Sequence, residues 1–153
     1  MVAVRFDGTT EGRHPPSSEV PFHREMHARR PDVRSVVHAH PTSLVAFSIC
    51  GRTPDTRVFA KARRVCGEVA LAPYRFPGSA ELGRVVADAF AGGADCVMLE
   101  NHGVAVAGES LAGKFKRFEK LKCTAKALLR AQVLGQAEAL SDAGRLAARG
   151  DFE

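Results

Sequence analysis

Val33-Arg34-Ser35-Val36-Val37-His38-Ala39-His40 decides how this chain is read. The β-branched run from Val33 to Ala39 predicts a buried strand. Side chains on a strand alternate between faces with period two, so His38 and His40 point to the same side. Two imidazoles so placed can offer nitrogens to one metal ion. A third histidine, His102, follows a second apolar run in Glu100-Asn101-His102-Gly103, and a carboxylate, Glu19, stands upstream in Pro16-Ser17-Ser18-Glu19. Three imidazoles and a carboxylate make a recognisable donor set for a divalent metal.

Outward from this stretch, helical and extended patterns alternate. Residues 1–16 hold Gly8, Gly12, Pro15 and Pro16, and predict a short strand, a turn and a loop. Val20 to Arg29 predicts a helix, with Ser17 or Ser18 as its N-cap, Pro21 in its first turn and Pro31 beyond its end. After His40, Pro41-Thr42-Ser43 opens a short helix over Leu44 to Ile49, capped by Thr42 or Ser43. Gly51 to Thr56 is loop, Val65 to Ala72 contains a strand, and Pro73 to Pro77 is loop. Ser79 caps a helix that runs to about Phe90 and ends at Gly92-Gly93. Asp95 to Leu99 and Gly103 to Ala107 are further strands. From Ser110 to Leu134 the spacing of Leu111, Phe115, Phe118, Leu121, Ala125, Leu128 and Val133 predicts a long helix with charge on its other face, ended by Gly135. Beyond Ser141 an Ala/Arg-rich tail reads as a further helix or a frayed end. This order predicts an α/β layered domain with the histidines at strand ends, where sites on such folds often lie.

Composition narrows the function classes. A chain of 153 residues is long enough for one domain with a real core, here taken as residues 1–153. No apolar stretch approaches the roughly 18 residues that span a bilayer, and the N-terminus lacks a signal-peptide core, so a cytoplasmic protein is expected, with no membrane partner. The net charge of +5 comes from dispersed residues: Arg24, Arg29, Arg30 and Arg34, then Lys61 to Arg64, then Lys114 to Lys122. With no aromatic-interleaved basic strand and no Arg-rich tract, nucleic acid is not an expected partner. An anionic small substrate accounts for the charge at least as well, as does a plain solvated surface. Cys50, Cys66, Cys96 and Cys123 form no CxxC pair and are expected to be structural, Cys96 and Cys123 as small hydrophobes within apolar patterns.

The chemistry of the four site residues follows from their types. Zinc takes imidazole nitrogens, and three protein ligands with one open position is the catalytic arrangement. His38, His40 and His102 would supply the nitrogens, and Glu19, water or a substrate oxygen the fourth position. A Lewis acid beside a mobile carboxylate suits proton removal next to a polarised hydroxy-ketone. Each part also has a plainer reading. A His-x-His pair can be surface residues, His102 beside Gly103 a turn residue, and Ser17-Ser18-Glu19 a helix cap with a first-turn acid. His14, His23 and His27 show no paired spacing and are assigned no metal role.

Several ordered segments resemble the class II aldolase/adducin family, whose members include L-fuculose-phosphate aldolase. They are Pro16-Ser17-Ser18-Glu19-Val20-Pro21-Phe22-His23, Arg30-Pro31-Asp32-Val33 through His38-Ala39-His40-Pro41, Pro73-Tyr74 with Gly78-Ser79-Ala80-Glu81-Leu82, and Leu99-Glu100-Asn101-His102-Gly103-Val104 with Val106-Ala107-Gly108. Together they cover roughly residues 14–135. The resemblance implies a three-layer α/β/α domain with a central, mainly antiparallel sheet, and usually a homotetramer. It implies zinc or another divalent ion on His38, His40 and His102, Glu19 as the acid/base residue, and Ser17 and Ser18 as donors to a substrate phosphate.

The activity so implied is a metal-dependent aldolase-type lyase acting on a small hydroxy-ketone, with a sugar phosphate expected, through an enediolate. Same-site epimerisation, dehydration or decarboxylation is the first alternative, and a non-catalytic adducin-like module or inactive remnant the second. Two departures from the family pattern stand out. Family members carry about 70 residues ahead of the Ser-Ser-Glu segment, for a domain of typical size. This chain begins just before that segment, so an exposed sheet edge and apolar surface are expected. The other departure is Phe59, near where some family aldolases place a tyrosine.

Overall fold

Two antiparallel ladders bring the histidine segments together. The computed structural model describes residues 1–141. Its main sheet has four strands: β3 (Ser35–Ala39), β4 (Val69–Ala72), β5 (Cys96–Leu99) and β6 (Gly103–Gly108). A two-residue hairpin of β1 (Ala3–Val4) and β2 (Thr10–Glu11) lies ahead of them. The sheet order is β3-β6-β5-β4. β3 pairs antiparallel with β6, β6 antiparallel with β5, and only β5 with β4 is parallel.

Helices cover both faces, and the alternation of the strands decides which residue meets which layer. Val97 and Leu99 of β5 and Ala105 and Ala107 of β6 pack with Phe22 and Met26 of α1 (Val20–Arg29) and with Leu82, Val86 and Phe90 of α4 (Ala80–Ala91). Their neighbours Cys96, Met98, Val104 and Val106 face the other way. They meet Leu44 and Phe47 of α2 (Thr42–Ile49), Cys66 of α3 (Ala60–Cys66) and Phe118, Leu121 and Ala125 of α5 (Leu111–Leu134). The result is the three-layer α/β/α domain with a mainly antiparallel sheet that the sequence implied. None of the described helices is long and apolar enough to cross a membrane.

The structure corrects several local expectations. Neither Ser17 nor Ser18 caps α1; Glu19 occupies the cap position without a side-chain cap bond, and the Ser17 hydroxyl instead accepts the Glu19 N–H at 3.2 Å. Pro41 sits at the α2 cap position, so Thr42 and Ser43 lie inside the helix. Ser79 does cap α4, accepting the Leu82 N–H at 3.1 Å, and Gly92 closes it. The strand expected within Val65 to Ala72 is present as β4, and Val65 and Cys66 ahead of it end α3. Gly67, with φ +64, turns the chain, and β4 starts only at Val69. β2, within the expected loop, is a strand of only two residues whose turn is closed by Asp7 accepting the Thr9 N–H at 2.9 Å.

In α5, charge is not confined to the outer face. Lys114 is buried, its ammonium taken by the Ser35 hydroxyl at 3.0 Å and by the Gly108 and Ser110 carbonyls, and burial lowers its pKa. Leu111, Phe115 and Val133 are exposed instead. Cys123 is exposed too, because it lies two residues, or about 200° of helix, from the buried Leu121. Cys66 and Cys96 are buried and Cys50 is exposed, all as free thiols. The reading of a tail beyond Ser141 falls outside the described residues.

Candidate active site

His38 is held by the sheet itself. Its Cα partner across the ladder is Ala105, which puts its side chain on the α1/α4 face. There the Phe22 ring meets its imidazole edge-on, with centroids 5.2 Å apart. Nδ1 of His38 lies 3.0 Å from the Val104 carbonyl, an atom that can only accept, so Nδ1 carries the proton and Nε2 keeps a bare lone pair. Burial and the nearby His102 and His40 push this imidazole down to about 4, which keeps it neutral at ordinary pH.

His40 follows two residues on, just past the end of β3 and on the same face, with its Nε2 2.9 Å from Nε2 of His38. His102 comes from the turn between β5 and β6. Its ring lies 5.0 Å from that of His38 and stacks on His40 at 4.8 Å. Potential ligand nitrogens of the three all lie within 4.8 Å of one another, and no other such group of three occurs among the described residues. Two features let the rings approach so closely. Asn101 takes a left-handed conformation, φ +52, that turns the chain into His102. Gly103 leaves room for His40, since a Cβ there would stand 2.5 Å from the His40 ring.

Glu19 arrives from the other side, at the start of α1. Its carboxylate raises the pKa of His102, against the stronger lowering by burial. It is not one of the convergent donors. Ser17 and Ser18 precede it on the exposed surface, and the Ser18 carbonyl packs against Gly78 of the β4–α4 loop. His23 stacks on Phe22 at 4.2 Å and His27 meets the Val33 carbonyl at 3.0 Å, so both have packing roles. Phe59 is exposed at the start of α3.

The donor set fits a divalent ion on three counts. Oε2 of Glu19 and Nδ1 of His102 are buried and have no hydrogen-bond partner, an arrangement that costs free energy unless something else satisfies them. The three rings are imidazole donors of the kind zinc takes. Two nitrogens on one tetrahedral zinc stand about 3.3 Å apart, from bond lengths of about 2.0–2.1 Å, and the 2.9 Å between His38 and His40 is within a few tenths of that.

Residues 1–129 match the family described as Class II Aldolase and Adducin N-terminal domain. The chain belongs to this class II aldolase and adducin family. A 3-oxo-tetronate 4-phosphate decarboxylase from Pectobacterium atrosepticum is 37% identical over 117 residues, which cover 72% of this chain and 52% of that protein. A 5-methylthioribulose-1-phosphate/5-deoxyribulose-1-phosphate aldolase from Rhodospirillum rubrum is 31% identical, covering 76% of this chain and 52% of its own length. The solved structure of an L-fuculose 1-phosphate aldolase superposes with a TM-score of 0.85 at 28% identity, over 99% of this chain and 72% of that one. The chain thus spans about half the length of these two curated relatives. Class II aldolases are typically dependent on a divalent metal.

Glu100 and Gly103 are the residues that sequence reasoning passed over. In the sequence both stand only as flanks of His102, and nothing in one sequence marks Gly103 as the floor under a ring from another strand.

Proposed function

We propose that this domain is a divalent-metal lyase site, with zinc or a similar ion on His38, His40 and His102, that breaks or forms a carbon–carbon bond next to a carbonyl in a small phosphorylated hydroxy-ketone. The observation that carries this reading is the convergence of three imidazoles beside a buried carboxylate oxygen with no partner. When bound, the ion would act as a Lewis acid on substrate oxygens. His38 keeps its Nε2 lone pair aimed inward because the Val104 carbonyl holds its other nitrogen. In cleavage Glu19 takes the proton of the substrate hydroxyl whose carbon becomes a carbonyl as the carbon–carbon bond breaks, and gives it to the carbon that keeps the electron pair; in bond formation it does the reverse. Its position between solvent-facing Ser18 and the histidines suits that shuttle. Ser17 and Ser18 offer hydroxyls at the exposed edge, where a substrate phosphate is held. The homotetramer belongs to the same proposal.

Decarboxylation is the second reading, favoured by the 37% identical decarboxylase. It breaks the same kind of bond and releases carbon dioxide instead of an aldehyde, so product analysis separates the two.

Elemental analysis of the purified chain after zinc loading tests the site. About one zinc per chain is expected, with marked loss in His38→Ala and His40→Ala. Glu19→Gln should keep its zinc and lose turnover on phosphorylated aldols. A chain that takes up no zinc under saturating conditions refutes the reading and favours a non-catalytic module.

A further inference from the structure

The turn that carries His102 is tied to the rest of the site by one side chain outside the donor set. Glu100 is half-buried immediately after β5. Its N–H donates to the Ala72 carbonyl at the end of β4, 3.0 Å away. Its Oε2 accepts the Tyr74 N–H at 2.8 Å, and its Oε1 stands 4.0 Å from where a Gly51 Cβ would be. The carboxylate therefore sits where three segments meet: the end of α2, the β4–α4 loop and the His102 turn.

That loop carries two exposed aromatic side chains. Tyr74 and Phe76 are 48% and 75% exposed. Further along, Gly78 packs so closely on the Ser18 carbonyl that a Cβ would stand 3.0 Å from it. Ser18 leads directly into Glu19. The other ties of the His102 turn are backbone bonds to elsewhere: Asn101 N–H to the Ser48 carbonyl at 3.3 Å and His102 N–H to that of Leu99 at 3.1 Å. Contact thus runs from His102 through Glu100, Tyr74 and Gly78 to Ser18 and Glu19.

We propose that Glu100 is a positioning residue, whose carboxylate, by holding the Tyr74 N–H, sets the His102 turn in register with the Ser17–Glu19 segment. The inference rests on the reading of His38, His40 and His102 as a metal centre. A carboxylate that accepts a backbone N–H makes a charge-assisted bond, stronger than a neutral one. Removing a group hydrogen-bonded directly to a metal ligand typically changes metal affinity by about 10- to 100-fold, and Glu100, which acts through the Tyr74 N–H, falls at the low end of that range. Glutamine keeps an acceptor oxygen for the Tyr74 N–H, and alanine does not.

The test measures zinc affinity of the full chain by competition with a chromophoric chelator, and the visible cobalt(II) spectrum, for wild type, Glu100→Ala and Glu100→Gln. Glu100→Ala is expected to bind zinc about tenfold more weakly and to alter the cobalt band. Glu100→Gln should restore most of both. If Glu100→Ala fails to fold by circular dichroism, Tyr74→Pro removes the same bond from the donor side and must show the same weakening. Wild-type affinity in the folded variant that lacks the bond overturns the proposal, and so does Glu100→Gln binding as weakly as Glu100→Ala. A wild-type chain that binds no zinc overturns the metal-centre reading itself, a result distinct from either.

Discussion

Gly103→Ala should damage both the fold and the metal centre, for one steric reason. The added Cβ would stand 2.5 Å from Cδ2 of His40 and 2.6 Å from the Ala39 carbonyl oxygen. Carbon atoms pack best at about 3.5–4.0 Å, so the first contact overlaps by about 1 Å. The backbone has little freedom to absorb it. Gly103 is paired with Leu99 on one side, and its neighbour Val104 with Ala39 on the other. The His40 ring must swing away, the strands must separate, or both. Overpacking of this kind costs about 1–3 kcal/mol, and for a chain of this size that lowers the melting temperature by about 2–12 °C. Calorimetry of the metal-free protein reads that part. Displacement of His40 should also weaken zinc binding, read by chelator competition. A Gly103→Ala protein with unchanged melting and unchanged zinc affinity would refute the steric argument and the placement of His40.

Four further outcomes are expected. Phe22→Ala removes a ring that is 1% exposed and packs on His38, and should cost about 3–5 kcal/mol in denaturant unfolding while loosening zinc. His38 is held near 4 in the fold against 6.5 ordinarily, so between those values the unfolded chain takes up a proton that the folded chain refuses; the metal-free protein should lose stability as pH falls from 6.5 to 4, and His38→Gln should flatten that slope in pH-resolved melting curves. Ser79→Ala removes the cap bond to the Leu82 N–H and should cost about 1 kcal/mol by chemical denaturation, with no change in zinc content. In native protein a thiol reagent should label Cys50 and Cys123 quickly, whereas Cys66 and Cys96 should react only after unfolding, since both are buried and the hydrogen bond with Cys66, together with burial, pushes the Cys96 thiol up.

What the sequence showed depended on the range of the interaction involved. Strands with continuous apolar runs, such as Cys96–Leu99, and helices with local caps, such as Ser79 before α4, were legible because their signals lie within a few residues. The basic stretch Ala60-Lys61-Ala62-Arg63-Arg64 hid α3, because only Ala62 and Cys66 of that helix are fully buried and no apolar stripe shows. Lys114 was misplaced for the opposite reason. A charge at a core position looks like an outer-face residue until the Ser35 hydroxyl and the Gly108 carbonyl, from other elements, are seen to receive it. At the site, the three histidines and Glu19 were visible as residue types at a spacing. Gly103 and Glu100 were not, since one matters through a ring and the other through an N–H that lie far off in the chain.

Strand direction is what turns the spacing of the histidines into a site. His38 and His40 stand at the C-terminal end of β3, and His102 immediately precedes β6. Because the two strands run antiparallel, with Ala39 opposite Val104, the end of one meets the start of the other. A parallel pairing would have set the end of β3 beside Gly108 instead. At about 3.4 Å per residue that lies roughly 17 Å from Gly103, beyond the reach of any imidazole. The same direction leaves only the tight turn Glu100-Asn101-His102 between β5 and β6, so a ligand on that turn inherits the rigidity of two ladders. Glu19 has no such support: it stands at the uncapped start of α1, joined to the histidines through Phe22 packing and the loop that Glu100 holds. The division matches the roles proposed for them. A metal ligand benefits from a fixed position, whereas a carboxylate that takes up and returns a proton needs room to move.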